Sequence, residues 1–268
     1  MHTRPTRPTP MHFDATAILQ QLDAVQRERQ RRLVTPDLEA RVRAVKRFQQ
    51  QRFEFTYTDL LASTRYRGAA RFFLHELYGP QDFSQRDAQL ARVIPALVRL
   101  FPAQVVDVVG IVVSLHALSE QLDSAMGQQH QGQGGALDAP PYVAQRQGGA
   151  LDAASYVAAW RLAGAPAQRE RQIALTIDVG ASLDRIVSKP LLRQSLRLMR
   201  GPARAAGLGD LQDFLERGFD AFRAMGGAGE FLALVAQRER QLAAALFGAA
   251  EAASLRVALG LLPAITQS

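Results

Sequence analysis

Residues 103–126 read AQVVDVVGIVVSLHALSEQLDSAM, and this stretch decides the fold. It follows Pro102 and contains no glycine–proline break, so it predicts one helix from Ala103 to Met126. Its middle is apolar nearly all round, and a helix of that kind is buried on several sides. The best candidate for a membrane span, Val105 to Leu118, is shorter than the roughly 20 residues such a span needs. It also carries Asp107, with His116 near its end, so it reads as the central helix of a soluble bundle.

Working outward, the other elements also read as helices. Asp14 to Arg32 forms one helix. Thr35-Pro36, with Asp37 and Glu39 behind it, looks like an N-cap and first turn opening a helix to about Phe55. Thr58 and Asp59 open a short helix through Leu61. A further helix begins at Ser63 or Thr64 and places Tyr66, Ala69, Ala70, Phe73 and Leu77 on one face, before Gly79-Pro80 stops it. Ser84 and Asp87 fit an S-x-x-D capping box at the head of a helix to Leu100, with a kink expected at Pro95. In the second half, helices are expected through Trp160 to Gly164 and over 166–187, 190–200, 210–225, 229–247 and 250–261. The fold class is all-α: a bundle of roughly nine to ten helices and no sheet.

Four regions follow. Residues 1–12 form a disordered tail, 13–126 an N-terminal helical half, 127–151 a loop rich in Gly and Gln, and 152–268 a C-terminal helical half packed on the first. The loop carries a tandem duplication: QGGALDAPPYVA at 133–144 returns as QGGALDAASYVA at 147–158. A helical bundle tolerates such an insertion in an exposed connection. The pentapeptide QRERQ occurs at 26–30, 168–172 and 237–241, a composition suited to solvated helix faces.

Composition narrows the chemistry. The 268 residues include no cysteine, which excludes disulfides, Cys-based metal sites and Cys nucleophiles. The N-terminal residues hold Arg4, Arg7 and three prolines but no apolar core of a secretory signal, so a cytoplasmic location is expected, with no membrane partner. The net charge is +7, carried almost wholly by arginine, as a GC-rich bacterial genome tends to produce.

The segment FFLHELYGPQDFS at 72–84, followed by Arg86-Asp87, resembles a family of uncharacterised proteobacterial all-helical proteins. LHALSEQLD at 115–123 and MRGPARAAGLG at 199–209 extend the resemblance over about residues 35 to 247. It implies no activity, cofactor or partner. Packing and capping account for most of the motif: aromatic side chains pack, Gly79 caps and Pro80 blocks continuation.

Two clusters invite function. His116, Glu120 and Asp123 share one helical face, continuing the line of Val105, Val109 and Val112. They could ligate a metal or perform acid–base work. The plainer expectation is a His116–Glu120 hydrogen bond with Asp123 in water. His75 is expected to be solvated. Lys189, Arg193, Arg197, Arg200 and Arg204 form a basic stripe opposite Leu191, Leu192, Leu198 and Met199, provided the helix continues through Gly201-Pro202. Together with the basic stretch Arg27 to Arg52, it could grip phosphates.

No nucleophile elbow, H-E-x-x-H or P-loop is present. The pattern favours a non-enzymatic helical protein that binds another protein, itself or a small ligand, with no cofactor. The alternatives are an anion- or nucleic-acid-binding regulator using the arginine faces, and a metal-dependent enzyme centred on His116.

Overall fold

The computed structural model describes residues 12–77, 83–130, 151–248 and 252–263. Gly79-Pro80 and the first copy of the duplication lie outside them. The described residues contain thirteen α-helices, one π-helical turn and no strand.

The first half comprises α1 (Ala15–Val34), α2 (Leu38–Thr56), α3 (Thr58–Ala62), α4 (Arg67–Phe72), the π-turn (Phe73–Leu77), α5 (Ser84–Leu100) and α6 (Ala103–Gln129). The second comprises α7 (Ala153–Ala163), α8 (Pro166–Val187), α9 (Pro190–Leu198), α10 (Arg200–Ala205), α11 (Gly209–Met225), α12 (Gly229–Gly248) and α13 (Ala252–Gly260). The number exceeds the nine to ten expected, and three of the thirteen, α3, α4 and α10, are no longer than six residues.

The α6 helix is central. It packs against α1 and α2 on one side and α7 and α8 on the other. At 27 residues it is long and apolar enough to cross a membrane by length and composition alone, which corrects the reading of this stretch as too short. Small residues let its neighbours close in. A Cβ on Gly127 would lie 2.6 Å from Val42 Cγ2 and 3.2 Å from the Val42 backbone nitrogen, so only glycine permits this approach of α2.

Two local readings are corrected. Thr35 does not open α2. It caps the C-terminus of α1, where its hydroxyl donates to the Arg31 carbonyl (2.7 Å), and α2 starts three residues later behind Asp37 in the left-handed region (φ 57°). Likewise, Ser84 and Asp87 do not form a capping box. Phe83 occupies the cap position without a side-chain cap bond, and Asp87 turns inward instead. An interior salt partner outcompetes the local cap, because a buried carboxylate needs charge and donors more than a helix end needs one bond. The α5 helix runs unbroken through Pro95.

The apolar interior falls into clusters joined at seams. One gathers Phe53, Tyr57, Phe72, Phe73, Phe222 and Phe231 where α2, α4, the π-turn, α11 and α12 meet. A second gathers Phe48, Tyr156, Trp160 and Leu246 where α2, α7 and α12 meet. Further clusters bind α6 to α1 and α5, and α6 to α8. The seam between the two aromatic clusters is where the protein opens inward.

Candidate functional site

The sequence-predicted cluster on α6 is an ion network spanning four helices. His116 does not bond Glu120. Its Nε2 lies 2.9 Å from Asp87 Oδ2 on α5 and 3.4 Å from Arg29 on α1, while Arg29 reaches Asp87 at 2.9 Å. Glu120 is only 3% exposed and accepts from Arg32 of α1 and Lys46 of α2, both at 2.6 Å. Although burial opposes its ionisation, the Lys46 and Arg32 charges win and hold its carboxyl at about 2.

Asp123 was expected in water. It is instead 6% exposed and accepts from Gln49 Nε2 at 3.0 Å. Burial pushes its carboxyl above the usual range, outweighing the nearby cations. Three residues apart on one helix, two carboxyls thus meet opposite electrostatic fates. Sequence spacing placed them on one face but could not supply their partners, which come from up to 88 positions away in the chain. No group of three or more His, Asp or Glu side chains suited to a metal occurs among the described residues. His75 is exposed, as its position implied.

The basic stripe does not form one helix face. The chain breaks at Met199, and Gly201-Pro202 fall in the first turn of α10. Arg193 pairs with Asp220 (3.0 Å), Arg200 with Glu216 and Arg204 with Asp213 (3.7 Å), all on α11. Lys189 and Arg197 are exposed, and so are Leu198 and Met199. In the 27–52 stretch, Arg32 and Arg52 are buried, while Arg29 and Lys46 belong to the ion network.

Sequence reading missed a cleft. It lies between α2, α7, α8 and α12, at the seam of the two aromatic clusters, with an empty volume of ≈ 850 Å³ including its open mouth. Part of its lining is apolar: Phe53, Phe73, Ile173, Phe231, Leu232 and Val235. The rest is polar. Arg52 (8% exposed) pairs with Glu239, which also accepts from the Tyr57 hydroxyl at 2.7 Å. Arg169 (3% exposed) lies 3.9 Å over the Trp160 ring and donates to Gln172 at 3.1 Å. Gln172 passes its own donor to Ser119 on α6 (2.8 Å), and Gln49 does the same to Asp123. The cleft's polar lining is therefore wired to the central helix.

Three buried atoms of residues that line this cleft have no hydrogen-bond partner among the described residues: Arg52 Nε, the Tyr156 hydroxyl and Trp160 Nε1. Leaving a buried donor unsatisfied costs about 1–3 kcal/mol each. Tyr156 cannot swing away, because its ring is fully buried and stacked on Phe48 at 4.4 Å.

A sequence signal for the cleft existed in the QRERQ pentapeptide. Its second copy supplies Arg169 and Gln172, and its third supplies Glu239, across the same cleft. Glu170 and Arg240 of these copies pair with each other at 2.8 Å. The repeats are not solvated faces throughout: parts of the second and third copies turn inward and meet.

A family model described as Domain of unknown function (DUF8198) matches residues 16–253. No curated protein and no solved structure matches the chain. This chain belongs to that family of unknown function.

Proposed function

Since membership in a domain-of-unknown-function family assigns no activity, we propose, from the cleft itself, that this protein binds a small molecule between α2, α7, α8 and α12. The observation that carries the reading is the set of three polar atoms unpartnered among the described residues, Arg52 Nε, Tyr156 Oη and Trp160 Nε1, on side chains that line one cleft. Ligand pockets typically combine an apolar lining with a few convergent polar groups, and this cleft has both. A ligand bearing an acceptor would relieve part of the desolvation cost those groups bear unbound.

Trp160 provides the assay. It is the chain's single tryptophan, so its emission reports on the cleft without background. The full-length protein is titrated with a panel of small metabolites of anionic, neutral and cationic head group. The expected result is a saturable, one-to-one change in Trp160 emission with at least one class, together with a raised unfolding midpoint. A flat response across the whole panel would overturn the proposal.

A further inference from the structure

We infer that the corner between α9 and α10 is a peripheral docking surface for anionic membrane lipid, in which Leu198 and Met199 enter the acyl boundary and the surrounding basic side chains meet headgroup phosphates. The inference stands apart from the cleft and names a second interaction.

The apolar pair does not belong to the core. On α9, Leu196 packs against the large aromatic cluster. Leu198 follows two residues later, about 200° further round the helix, so it points away from that cluster. It is 78% exposed, more than any other large apolar side chain among the described residues, and Met199 beside it is 48% exposed. A solvated leucine standing singly is ordinary on a protein surface. Here two large apolar side chains adjoin where α9 ends and α10 begins, and Gly201 and Pro202 beside them are exposed as well.

The rim is cationic. Arg193, Arg200 and Arg204 pair with Asp220, Glu216 and Asp213, so these three acids of α11 are taken. Lys189 and Arg197 are left over. Both are exposed and form no ion pair among the described residues, although Arg197 lies within the field of Glu216. Arg92 carries the surplus on to α5. It donates to the Gly207 carbonyl just past α10 (3.5 Å). Arg99, two turns further along the same exposed face, has no acidic partner among the described residues either. From Ala88 to Val106 the chain holds no Asp or Glu.

This combination selects among anionic partners. Single-stranded nucleic acid is held by aromatic stacking as well as charge, and residues 189–207 contain no aromatic side chain. A duplex offers phosphates but gives Leu198 and Met199 nothing to bury against. An acidic protein would have to match cations dispersed over α5 and α9, whereas a fluid sheet of headgroups accepts them wherever they stand. Basic residues around a protruding apolar pair make an interfacial anchor, which combines apolar insertion with headgroup attraction and needs no spanning segment.

The test is flotation of the full-length protein with phosphatidylcholine vesicles, with and without about 30 mol% phosphatidylglycerol, at low and at high salt. At low salt the anionic vesicles are expected to retain at least about tenfold more protein than the neutral ones, and high salt should release most of it. Leu198→Ser combined with Met199→Ser should lower retention about fivefold or more while the helical circular-dichroism signal stays the same, because both side chains are exposed. Arg92→Gln combined with Arg197→Gln should lower retention on anionic vesicles about tenfold.

No retention on anionic vesicles at low salt overturns the inference, and so does equal retention on neutral ones. Undiminished retention after the Leu198 and Met199 substitutions overturns it too, since charge alone would then be acting. Labelled duplex DNA and polyglutamate are titrated in parallel. If either binds at a salt concentration that strips the protein from vesicles, and Arg92→Gln with Arg197→Gln abolishes that binding, the surface belongs to nucleic acid or to an acidic protein instead.

Discussion

Glu120→Gln is expected to cost about 3 kcal/mol of folding stability at pH 7, whereas Asp123→Asn, three residues further along α6, is expected to cost nothing or to stabilise. The folded carboxyl of Glu120 sits at about 2, against an ordinary 4.5. At about 1.4 kcal/mol for each pH unit, that difference is worth roughly 3 kcal/mol. The same order follows from removing one partner of a buried ion pair, since Gln would leave Arg32 and Lys46 without their counter-charge. Because the folded value lies below the unfolded one, Glu120's contribution is complete above about pH 5. It is lost as pH falls from 4.5 toward 2. Asp123 has the opposite sign. Its folded value is raised, so folding favours its protonated form, and its contribution declines as pH rises from 3.8 through that folded value. Asparagine keeps an acceptor for Gln49 and never ionises. The assay is urea unfolding followed by helical circular dichroism, for wild type and both variants, at pH 7 and at pH 3. The Glu120→Gln deficit should shrink at pH 3. A deficit under about 1 kcal/mol at pH 7, or one independent of pH, would refute the claim that Lys46 and Arg32 dominate this carboxylate.

Other outcomes follow from the packing and caps. Gly127→Ala should destabilise by about 1–3 kcal/mol in the same unfolding assay, since its Cβ would meet both the Val42 side chain and its backbone nitrogen. Tyr57→Phe should lower stability by about 1.5–3 kcal/mol, because its hydroxyl donates to the charged Glu239. Ala165 holds φ 63° just ahead of Pro166, so Ala165→Gly should raise the thermal midpoint through a gain of about 1 kcal/mol.

Helical periodicity and punctuation were legible along most of the chain. Residues Ala103 to Met126 read as one helix and form one, and Gly164, Pro166 and Gly226 mark the ends they were expected to mark. The caps that failed, Thr35-Pro36 and Ser84 with Asp87, failed for a shared reason. A capping motif is a local offer of a hydrogen bond, and a stronger distant partner or an adjoining helix end can claim the same side chain. His116, Glu120 and Asp123 lie at helical spacing along α6, yet spacing says nothing about what faces them.

By itself, then, the sequence determined an all-helical chain with a buried central rod, because propensity, apolar period and breakers act within a few residues. Only the tertiary structure decided which charges were neutralised, that Asp123 was buried, and that Arg169 and Glu239 face one cleft. Those outcomes depend on Arg32, Lys46 and Gln49 arriving from α1 and α2. Ionisation and solvation are set by neighbours in space, and a single strand of residues does not record who those neighbours are.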